Sequence, residues 1–316
     1  MAMNQKDELL KIFPLQWREL LQGMDWCGRD LEEIRIRVGQ PLQFVYGGRT
    51  TYIQTGGGFT NQWEHSLRVQ PQQVQEMMTY LCQYSRYAYA RQMKNGYLTL
   101  DGGIRVGVAG EAIWDDHQFL GVEHPMFLNI RIPREYPGCA SWAMPYLLSE
   151  NRVYHTLILA PPRGGKTTLL RDLLRQISNY DDIGSVAILD ERFEIAACHR
   201  GIPTNDVGIH SDVYSGYDKA VACMQAIRTM GPGVVAMDEI GGQEEGQVIS
   251  YAMRCGISVI ATMHAGSVRE YEELASQSHI YETLKFERIL WVMPGEKGKR
   301  RYQLWDDRGE LLCVNQ

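Results

Sequence analysis

Apolar residues in the first part of the chain follow two different spacings. Over residues 5–22 they recur every three or four positions, with an interruption at Pro14, which predicts an amphipathic helical segment with a break. The segment LEEIRIRV at 31–38 instead alternates apolar with charged residues, which predicts a strand with one wet, charged face. Helical spacing returns over residues 71–83.

The residues that follow predict antiparallel strands. Residues 96–109 contain YLTL, then Asp-Gly-Gly, then IRVGVA, which is a hairpin pattern, and FLNIRI at 127–132 predicts a further strand. We therefore expect a small α+β domain over residues 1–135, with helices packed on a mostly antiparallel sheet. The turn-rich residues 136–150 are the expected linker.

The pattern changes in the second half of the chain. Short, continuous apolar runs alternate there with helical stretches, and they occupy residues 156–160, 185–190, 233–239, 257–263 and 288–293. Runs of this kind between helices indicate a parallel sheet that is covered on both faces. Residues 151–316 are therefore predicted to form an α/β domain, which ends in a hairpin.

Composition narrows the class of protein. The 316 residues carry 32 Lys and Arg against 38 Asp and Glu, a formal net charge of −6, and 44% are hydrophobic, which are values of a globular chain. The excess of acidic over basic residues argues against a protein that coats nucleic acid.

The seven cysteines are widely spaced without a CxxC pair, so we expect reduced thiols and no zinc site. No apolar run reaches the ~20 residues that span a bilayer, which predicts a cytoplasmic location.

The clearest chemical motif begins where the first strand of the second domain ends. A strand, a glycine-rich loop and a helix follow one another, and the loop is Ala160-Pro161-Pro162-Arg163-Gly164-Gly165-Lys166-Thr167-Thr168. Backbone N–H groups of such a loop, together with the positive end of the helix, surround an anionic phosphate. Lys166 would meet the β- and γ-phosphates, and the Thr167 hydroxyl would hold Mg²⁺. Ala160 replaces the first glycine of the usual pattern, which fits if its φ is negative.

Acidic residues follow two other predicted strands. Asp238 and Glu239 come after VVAM, and they are placed to hold Mg²⁺ through water and to polarise the attacking water, respectively. Asp190 and Glu191 open the stretch DERFE after the strand at 185–190. Because ligands of such sheets bind at the carboxyl ends of the strands, these acids are expected near the γ-phosphate.

A polar pair ends the strand after that. Thr262 and His264 lie two residues apart, so they are predicted to point to the same side of the strand. For His264 two interpretations stay open: it senses the γ-phosphate, or it bonds to nearby backbone.

Several stretches together resemble one family. The loop LAPPRGGKTTLLRD, the acidic box ILDERFEIA, the stretch AIRTMGPGVVAMDEIGGQEE and the strand ISVIATMHAG follow the motif order of the secretion-type ATPases, the hexameric motors of type II and type IV secretion and of pilus machines. The resemblance continues through LEEIRIRVGQPL, NGYLTLDGGIRVGVAGEA and NIRIPRE in the first domain, and it is strongest with a branch that acts in sporulation. It implies a RecA-like P-loop NTPase domain with a parallel central sheet, preceded by the small α+β domain.

The resemblance also implies roles for single residues. Glu239 corresponds to the Walker B-type glutamate, and either Asp190 or Glu191 to the acidic box that aids catalysis, with the choice between them open. His264 falls in the histidine box, although Ile257 replaces the second histidine of that box.

Two arginines of the first domain gain a role in the same way. Arg105 and Arg131 resemble the arginines with which the family's first domain reaches over the nucleotide. A planar guanidinium stabilises the spread negative charge of a transferring phosphate better than an ammonium does. An ordinary surface ion pair is the alternative for each.

The function that this resemblance implies is an ATPase that uses ATP and Mg²⁺ and works as a homo-oligomer, a hexamer. It would power assembly of, or transport through, an envelope-spanning channel between mother cell and forespore. It would dock peripherally on an integral-membrane, platform-like partner on the mother-cell side of the forespore membrane. Two alternatives stay open. One is a nucleic-acid-dependent helicase or translocase, which Arg35, Arg37 and the basic run KGKRR at 297–301 suggest, although a solvated β-turn also explains that run; the other is a scaffold that binds nucleotide without hydrolysing it.

Overall fold

A computed structural model describes the chain except for residues 1, 29–30, 83–95, 116–117, 134, 151, 163, 200, 268, 272, 274–283, 296–299 and 316. The chain divides into two compact units, Met1–Pro133 and Arg134–Gln316. Each unit has its own sheet and its own hydrophobic core. In the described part of the chain, every helix is too short or too polar to cross a lipid bilayer.

The first unit is built from helices and antiparallel strands. In chain order its elements are α1 (Ala2–Ile12), α2 (Leu15–Gln22), β1 (Leu31–Arg37), β2 (Gln43–Tyr46), β3 (Arg49–Ile53), β4 (Phe59–Thr60), α3 (Pro71–Cys82), β5 (Tyr97–Thr99), β6 (Arg105–Asp115) and β7 (Gln118–Arg131). The break between α1 and α2 falls at Pro14, as predicted, because proline cannot continue a helix through its interior.

The strands of the first unit form a sheet with one apolar and one charged face. Among the described residues, seven strands pair in the order β4-β3-β2-β1-β7-β6-β5, and every pair is antiparallel. In β1, Ile34 and Ile36 are fully buried while Glu33 and Arg35 remain partly exposed, so the predicted alternation is confirmed. The helices contribute Leu9, Trp17 and Val74 to the core on the apolar face.

The second unit alternates strands with helices. Its elements are α4 (Met144–Leu147), β8 (Thr156–Ala160), α5 (Lys166–Ile177), β9 (Val186–Asp190), β10 (Ser211–Ser215), α6 (Lys219–Thr229), β11 (Val234–Met237), α7 (Gln243–Arg254), β12 (Ser258–His264), β13 (Arg288–Pro294), β14 (Arg300–Asp306) and β15 (Leu311–Asn315). Every residue of β8, β9 and β11 is buried, as expected for strands that are covered on both faces.

The second sheet is mixed rather than wholly parallel. Among the described residues, eight strands pair in the order β10-β9-β11-β12-β8-β13-β14-β15. Pairing is parallel from β10 to β13, and the last two strands add an antiparallel edge. The predicted α/β class is therefore confirmed, and the terminal hairpin, also as predicted, extends the same sheet.

The carboxyl ends of the parallel strands meet at one edge of this sheet. That edge contains the last residues of four neighbouring strands, which are Ala160, Asp190, Met237 and His264. The prediction that the third of these strands runs to Glu239 is wrong by two residues. The strand ends at Met237 because Glu239 has a φ of 31°, which no extended strand accommodates.

Candidate functional site

The glycine-rich loop after β8 has the geometry of a phosphate cradle. The N–H of Gly164 donates to the carbonyl of Pro161 at 2.9 Å, which closes a tight turn. A Cβ added to Gly164 would lie 2.8 Å from that carbonyl oxygen, so no other residue fits there without displacing the turn. Gly165 follows with a φ of 94°, a left-handed conformation that glycine adopts freely, and α5 begins at Lys166.

Ala160 fits at the start of the loop although the usual pattern has glycine there. It is the last residue of β8 and is fully buried. In the described part of the chain four non-glycine residues have positive φ, and Ala160 is not among them, so its backbone needs no glycine. Pro162 is exposed, and Thr167 and Thr168 are partly buried on the first turn of α5. Arg163, which was predicted to belong to the loop, lies outside the described residues.

Lys166 is a buried cation in contact with the end of a neighbouring strand. Its side chain is 8% exposed, and Nζ lies 2.8 Å from Nδ1 and 3.0 Å from Nε2 of His264. His264 is brought there by pairing of β12 with β8, in which it stands opposite Ala160. Burial lowers the pKa of Lys166, and three nearby carboxylates oppose that shift. They belong to Glu239, Glu194 and Asp238.

Asp238 is a buried carboxylate directly after β11. It is 3% exposed, and its Oδ1 has no hydrogen-bond partner among the described residues. Burial, together with the negative charge of Asp190, raises the pKa of Asp238 to about 7. The Nζ of Lys219 lies 3.9 Å from Oδ1 and partly opposes this shift. A buried oxygen without a hydrogen bond among the described residues is a suitable ligand for a hydrated cation.

Glu239 is held by two hydrogen bonds on its backbone. Its N–H donates to Oγ1 of Thr262 at 3.0 Å, and its carbonyl accepts from Nζ of Lys219 at 2.6 Å. These bonds keep Glu239 in a left-handed conformation that is uncommon for a non-glycine residue. Its carboxylate meets Arg192 at 2.7 Å and lies 3.7 Å from Nε2 of His264. Thr262 thus positions Glu239 through the backbone.

The two acidic-box residues have different environments. Asp190 is fully buried and uses both oxygens to accept backbone N–H groups, from Glu194 at 2.7 Å, Ile195 at 3.1 Å and Ala196 at 2.9 Å. Burial raises its pKa and these three bonds oppose the shift. Glu191 is exposed, and its Oε2 lies 3.7 Å from Nζ of Lys219. The geometry therefore gives Asp190 the task of shaping the loop and leaves Glu191 free to face solvent.

The two arginines of the first unit stand opposite each other on neighbouring strands. Arg105 on β6 pairs with Arg131 on β7, so both lie on the charged face of the sheet. The guanidinium of Arg105 covers the ring of Tyr97 at 4.2 Å, and Nε of Arg131 lies 3.5 Å from Glu33. Glu33, which stands opposite Arg131 on β1, offsets part of the repulsion between the two like charges.

Two cations of the second unit are not marked as site residues by any sequence pattern. Lys219 starts α6 and is 7% exposed, but its contacts with Asp238, Glu239 and Glu191 depend on folding, and no sequence motif announces them. Arg300 belongs to the basic run KGKRR, which was interpreted as a solvated turn or a nucleic-acid contact. In the structure it lies over Gly165, in the phosphate cradle.

Comparison with known proteins identifies relatives along nearly the whole chain. Residues 3–312 match the family model described as Sporulation stage III, protein AA. The chain is 33% identical over 313 residues to Stage III sporulation protein AA of Bacillus subtilis (strain 168), and 97% of each chain is covered.

Two solved structures are similar in fold. The ATPase DotB of Legionella pneumophila matches with a TM-score of 0.58 and 15% identity, over 88% of this chain and 77% of that one. The pilus retraction motor PilT with bound ADP matches with a TM-score of 0.59 and 16% identity, over 98% of this chain and 83% of that one. At these identities the likeness shows the fold alone, and it confirms the predicted RecA-like P-loop fold preceded by a smaller domain.

Proposed function

The chain belongs to the family of Sporulation stage III, protein AA, and from that premise we propose that it is a magnesium-dependent ATPase that works as a ring during spore formation. The observation that carries the ATPase proposal is the phosphate cradle, in which Gly164, Gly165 and the buried Lys166 combine at the start of α5. Few structural needs other than anion binding explain a buried lysine at a helix amino terminus, where it opposes the helix dipole.

The residues at the edge of the sheet fit Mg²⁺. Oδ1 of Asp238 is buried without a hydrogen bond among the described residues, and burial together with the charge of Asp190 raises the pKa of this carboxyl, which supports a bound cation here. Asp238, through water, and the Thr167 hydroxyl would hold the ion. When bound, Mg²⁺ supplies positive charge to the β- and γ-phosphates.

Glu239 is the proposed residue for activating water. Its strained backbone points its carboxylate toward Arg192 and His264, at the edge where Lys166 also lies. During hydrolysis the water oxygen attacks the γ-phosphorus, ADP leaves, and Glu239 accepts a hydrogen bond from the water and takes up its proton. Glu191 of the acidic box is the second carboxylate proposed to act there, with Asp190 holding the loop.

The remaining groups are proposed to bind the phosphates. Lys166 would exchange its contact with His264 for the β- and γ-phosphates, leaving His264 free to contact the γ-phosphate. Arg105 and Arg131 would stabilise the charge that spreads over the transferring phosphoryl group, a task for which their opposed positions on one sheet face suit them.

The proposed assembly is a homohexamer that docks peripherally on an integral-membrane partner resembling a secretion platform. Family membership supports a role in spore formation, at a channel between mother cell and forespore, and the fold shared with the pilus motor PilT supports a force-producing ring. In this proposal ATP hydrolysis drives assembly of that channel or transport through it, and nucleic acid is not the partner.

One experiment tests these proposals together. The purified full-length chain is assayed for ATP hydrolysis with and without Mg²⁺ and single-stranded DNA, while its mass in solution is measured with ATP bound. We expect Mg²⁺-dependent turnover, a hexamer, and no stimulation by DNA. Lys166→Ala is expected to weaken ATP binding at least about 100-fold, because the cation that meets the phosphates is gone.

The possible outcomes separate the alternatives. Unchanged ATP affinity in Lys166→Ala would remove the P-loop assignment. Turnover that rises on adding DNA would favour the nucleic-acid motor, and tight binding without any turnover would favour the scaffold.

A further inference from the structure

The basic run at the carboxyl-terminal hairpin contains a cation that belongs to the phosphate cradle. Arg300 is the first residue of β14 and pairs with Pro294, the last residue of β13. Because β13 runs parallel to β8, which leads into the glycine-rich loop, Arg300 lies at the same edge of the sheet as that loop. Its position follows from strand order, although 134 residues of chain separate it from Lys166.

The guanidinium of Arg300 lies directly against the loop. A Cβ added to Gly165 would approach Nη1 of Arg300 to 2.5 Å and Nε to 2.9 Å, so the arginine fills the space that a side chain at Gly165 would need. Gly165 therefore serves two purposes: it adopts the left-handed φ of 94°, and it leaves room for Arg300. The neighbouring Arg301 is exposed, since successive residues of a strand point to opposite faces.

In the part of the chain that the structure describes, the charge of Arg300 is not balanced by a carboxylate. Among the described residues, no salt bridge joins Arg300 to a carboxylate. Arg300 lies near the thiol of Cys139 and the phenol of Tyr302, and burial raises the pKa of both groups, so both stay neutral. A partly buried guanidinium that has no carboxylate partner among the described residues, next to an anion-binding loop, is suited to bind a phosphate.

We propose that Arg300 binds the phosphate chain of the nucleotide from within the same subunit, beside Gly165, as a second cation in addition to Lys166. This inference rests on the proposed nucleotide-binding function of the loop. It assigns part of the basic run to nucleotide binding, which removes the strongest sequence argument for a nucleic-acid contact.

The position beside Gly165 also indicates which phosphates Arg300 contacts. Backbone groups of the glycine-rich loop surround the α- and β-phosphates, whereas the lysine reaches the β- and γ-phosphates. Arg300 should therefore bind ADP and ATP alike, unlike a residue that reads only the γ-phosphate.

The test measures dissociation constants of MgADP and MgATP for the full-length chain. The variants are Arg300→Gln and Arg300→Lys, with Arg301→Gln as the matched control on the opposite face of the same strand, and Lys166→Ala as the reference for the loop itself. We expect Arg300→Gln to weaken both nucleotides about 10- to 100-fold, the range for a lost charge-assisted hydrogen bond. Arg300→Lys should lose less, and Arg301→Gln should match the wild type.

A second measurement needs no variant. Phenylglyoxal modifies accessible arginines, and mass spectrometry locates the modified sites in the wild-type chain. MgADP is expected to protect Arg300 and to leave Arg301 as reactive as before. Equal modification of Arg300 with and without MgADP contradicts the proposal even if Arg300→Gln does not fold.

The binding data separate failure of this inference from failure of the proposed function. If Lys166→Ala loses nucleotide while Arg300→Gln keeps it, the loop assignment stands and the role of Arg300 is wrong. Tighter binding by Arg300→Gln would show that the arginine obstructs the cradle, and loss of ATP but not ADP would assign it to the γ-phosphate. Either result overturns the proposal.

Discussion

The two sheets of this protein carry their polar chemistry in different places. In the first unit, Arg105 at the start of β6 and Arg131 at the end of β7 lie opposite each other on the charged face of the sheet, which water reaches. In the second unit, β8, β9 and β11 are buried along their whole length, and polar groups occur where strands end, as at Asp190 and Asp238.

The two sheets therefore set the positions of their polar side chains in different ways. Pairing register sets Arg105 opposite Arg131, and a one-residue shift of either strand would turn the arginine of that strand toward the core. At the ends of the parallel strands no register continues, so hydrogen bonds from other elements must fix each group. Glu239 shows this, because Thr262 and Lys219 anchor its backbone on either side.

The largest expected effect tests chemistry at a strand end. Glu239→Gln keeps the backbone bonds but removes the negative charge and the proton acceptor, so we expect ATP turnover to fall about 100- to 10,000-fold with ATP affinity retained. Turnover is measured in a steady-state ATPase assay and affinity by titration. Glu244→Gln, at an exposed glutamate of α7, is the control and should leave turnover unchanged.

Glu191→Gln completes this test. If Glu239→Gln turns over like the wild type while Glu191→Gln does not, the catalytic role belongs to the acidic box, and the anchored backbone of Glu239 serves another purpose.

The next effect tests chemistry on a strand face. Arg131→Ala is expected to lower turnover about 10- to 100-fold, since one guanidinium contact to the transferring phosphate is lost. Arg131 is exposed and Glu33 keeps its hydrogen bond from Arg35, so the melting temperature should hardly change. Arg37→Ala on the same face, which removes a hydrogen bond to Gln43, is the control. Full activity in Arg131→Ala would show that Arg131 forms an ordinary surface ion pair. The contrast between a catalytic strand face in the first unit and catalytic strand ends in the second would then be wrong.

The smallest expected effect is on the stability of the fold, because the buried, charged carboxylate of Asp238 after β11 makes the folded chain less stable. Asp238→Asn in EDTA is expected to stabilise the chain by about 1–2 kcal/mol at pH 8, roughly 2–6 °C in melting temperature, and by less at pH 5. The carboxylate of Asp307 is exposed, so Asp307→Asn is a suitable control. Calorimetry at the two pH values measures the difference.

The sign follows from the raised pKa of Asp238, about 7 in the folded chain against 3.8 as its ordinary value. The unfolded chain loses this proton from about pH 4 and the folded chain only near pH 7, so stability falls as pH rises through that window. Asparagine has no proton to lose. A variant that is less stable at pH 8 than at pH 5, relative to wild type, would show that Asp238 is adequately paired.

Much of the fold could be predicted because the period of apolar residues differs between the units. Alternation over 31–38 and continuous runs such as 156–160 each matched one strand type. The strand β10, Ser211–Ser215, was missed because its sequence SDVYS lacks an apolar run, and it forms only by pairing with β9. The end of β11 was placed two residues too late, since nothing in VVAMDE marks the left-handed conformation of Glu239.

The sequence determined by itself the glycine-rich loop, the acids at the strand ends and the family, because these depend on residue types at short spacings. Only the tertiary structure decided that Asp190 holds a loop, that Lys219 anchors Glu239, and that Arg300 lies on Gly165. The physical reason is that hydrogen bonding, desolvation and ion pairing depend on distances between residues far apart in the chain. Those distances exist only once the strands have taken their order in the sheet.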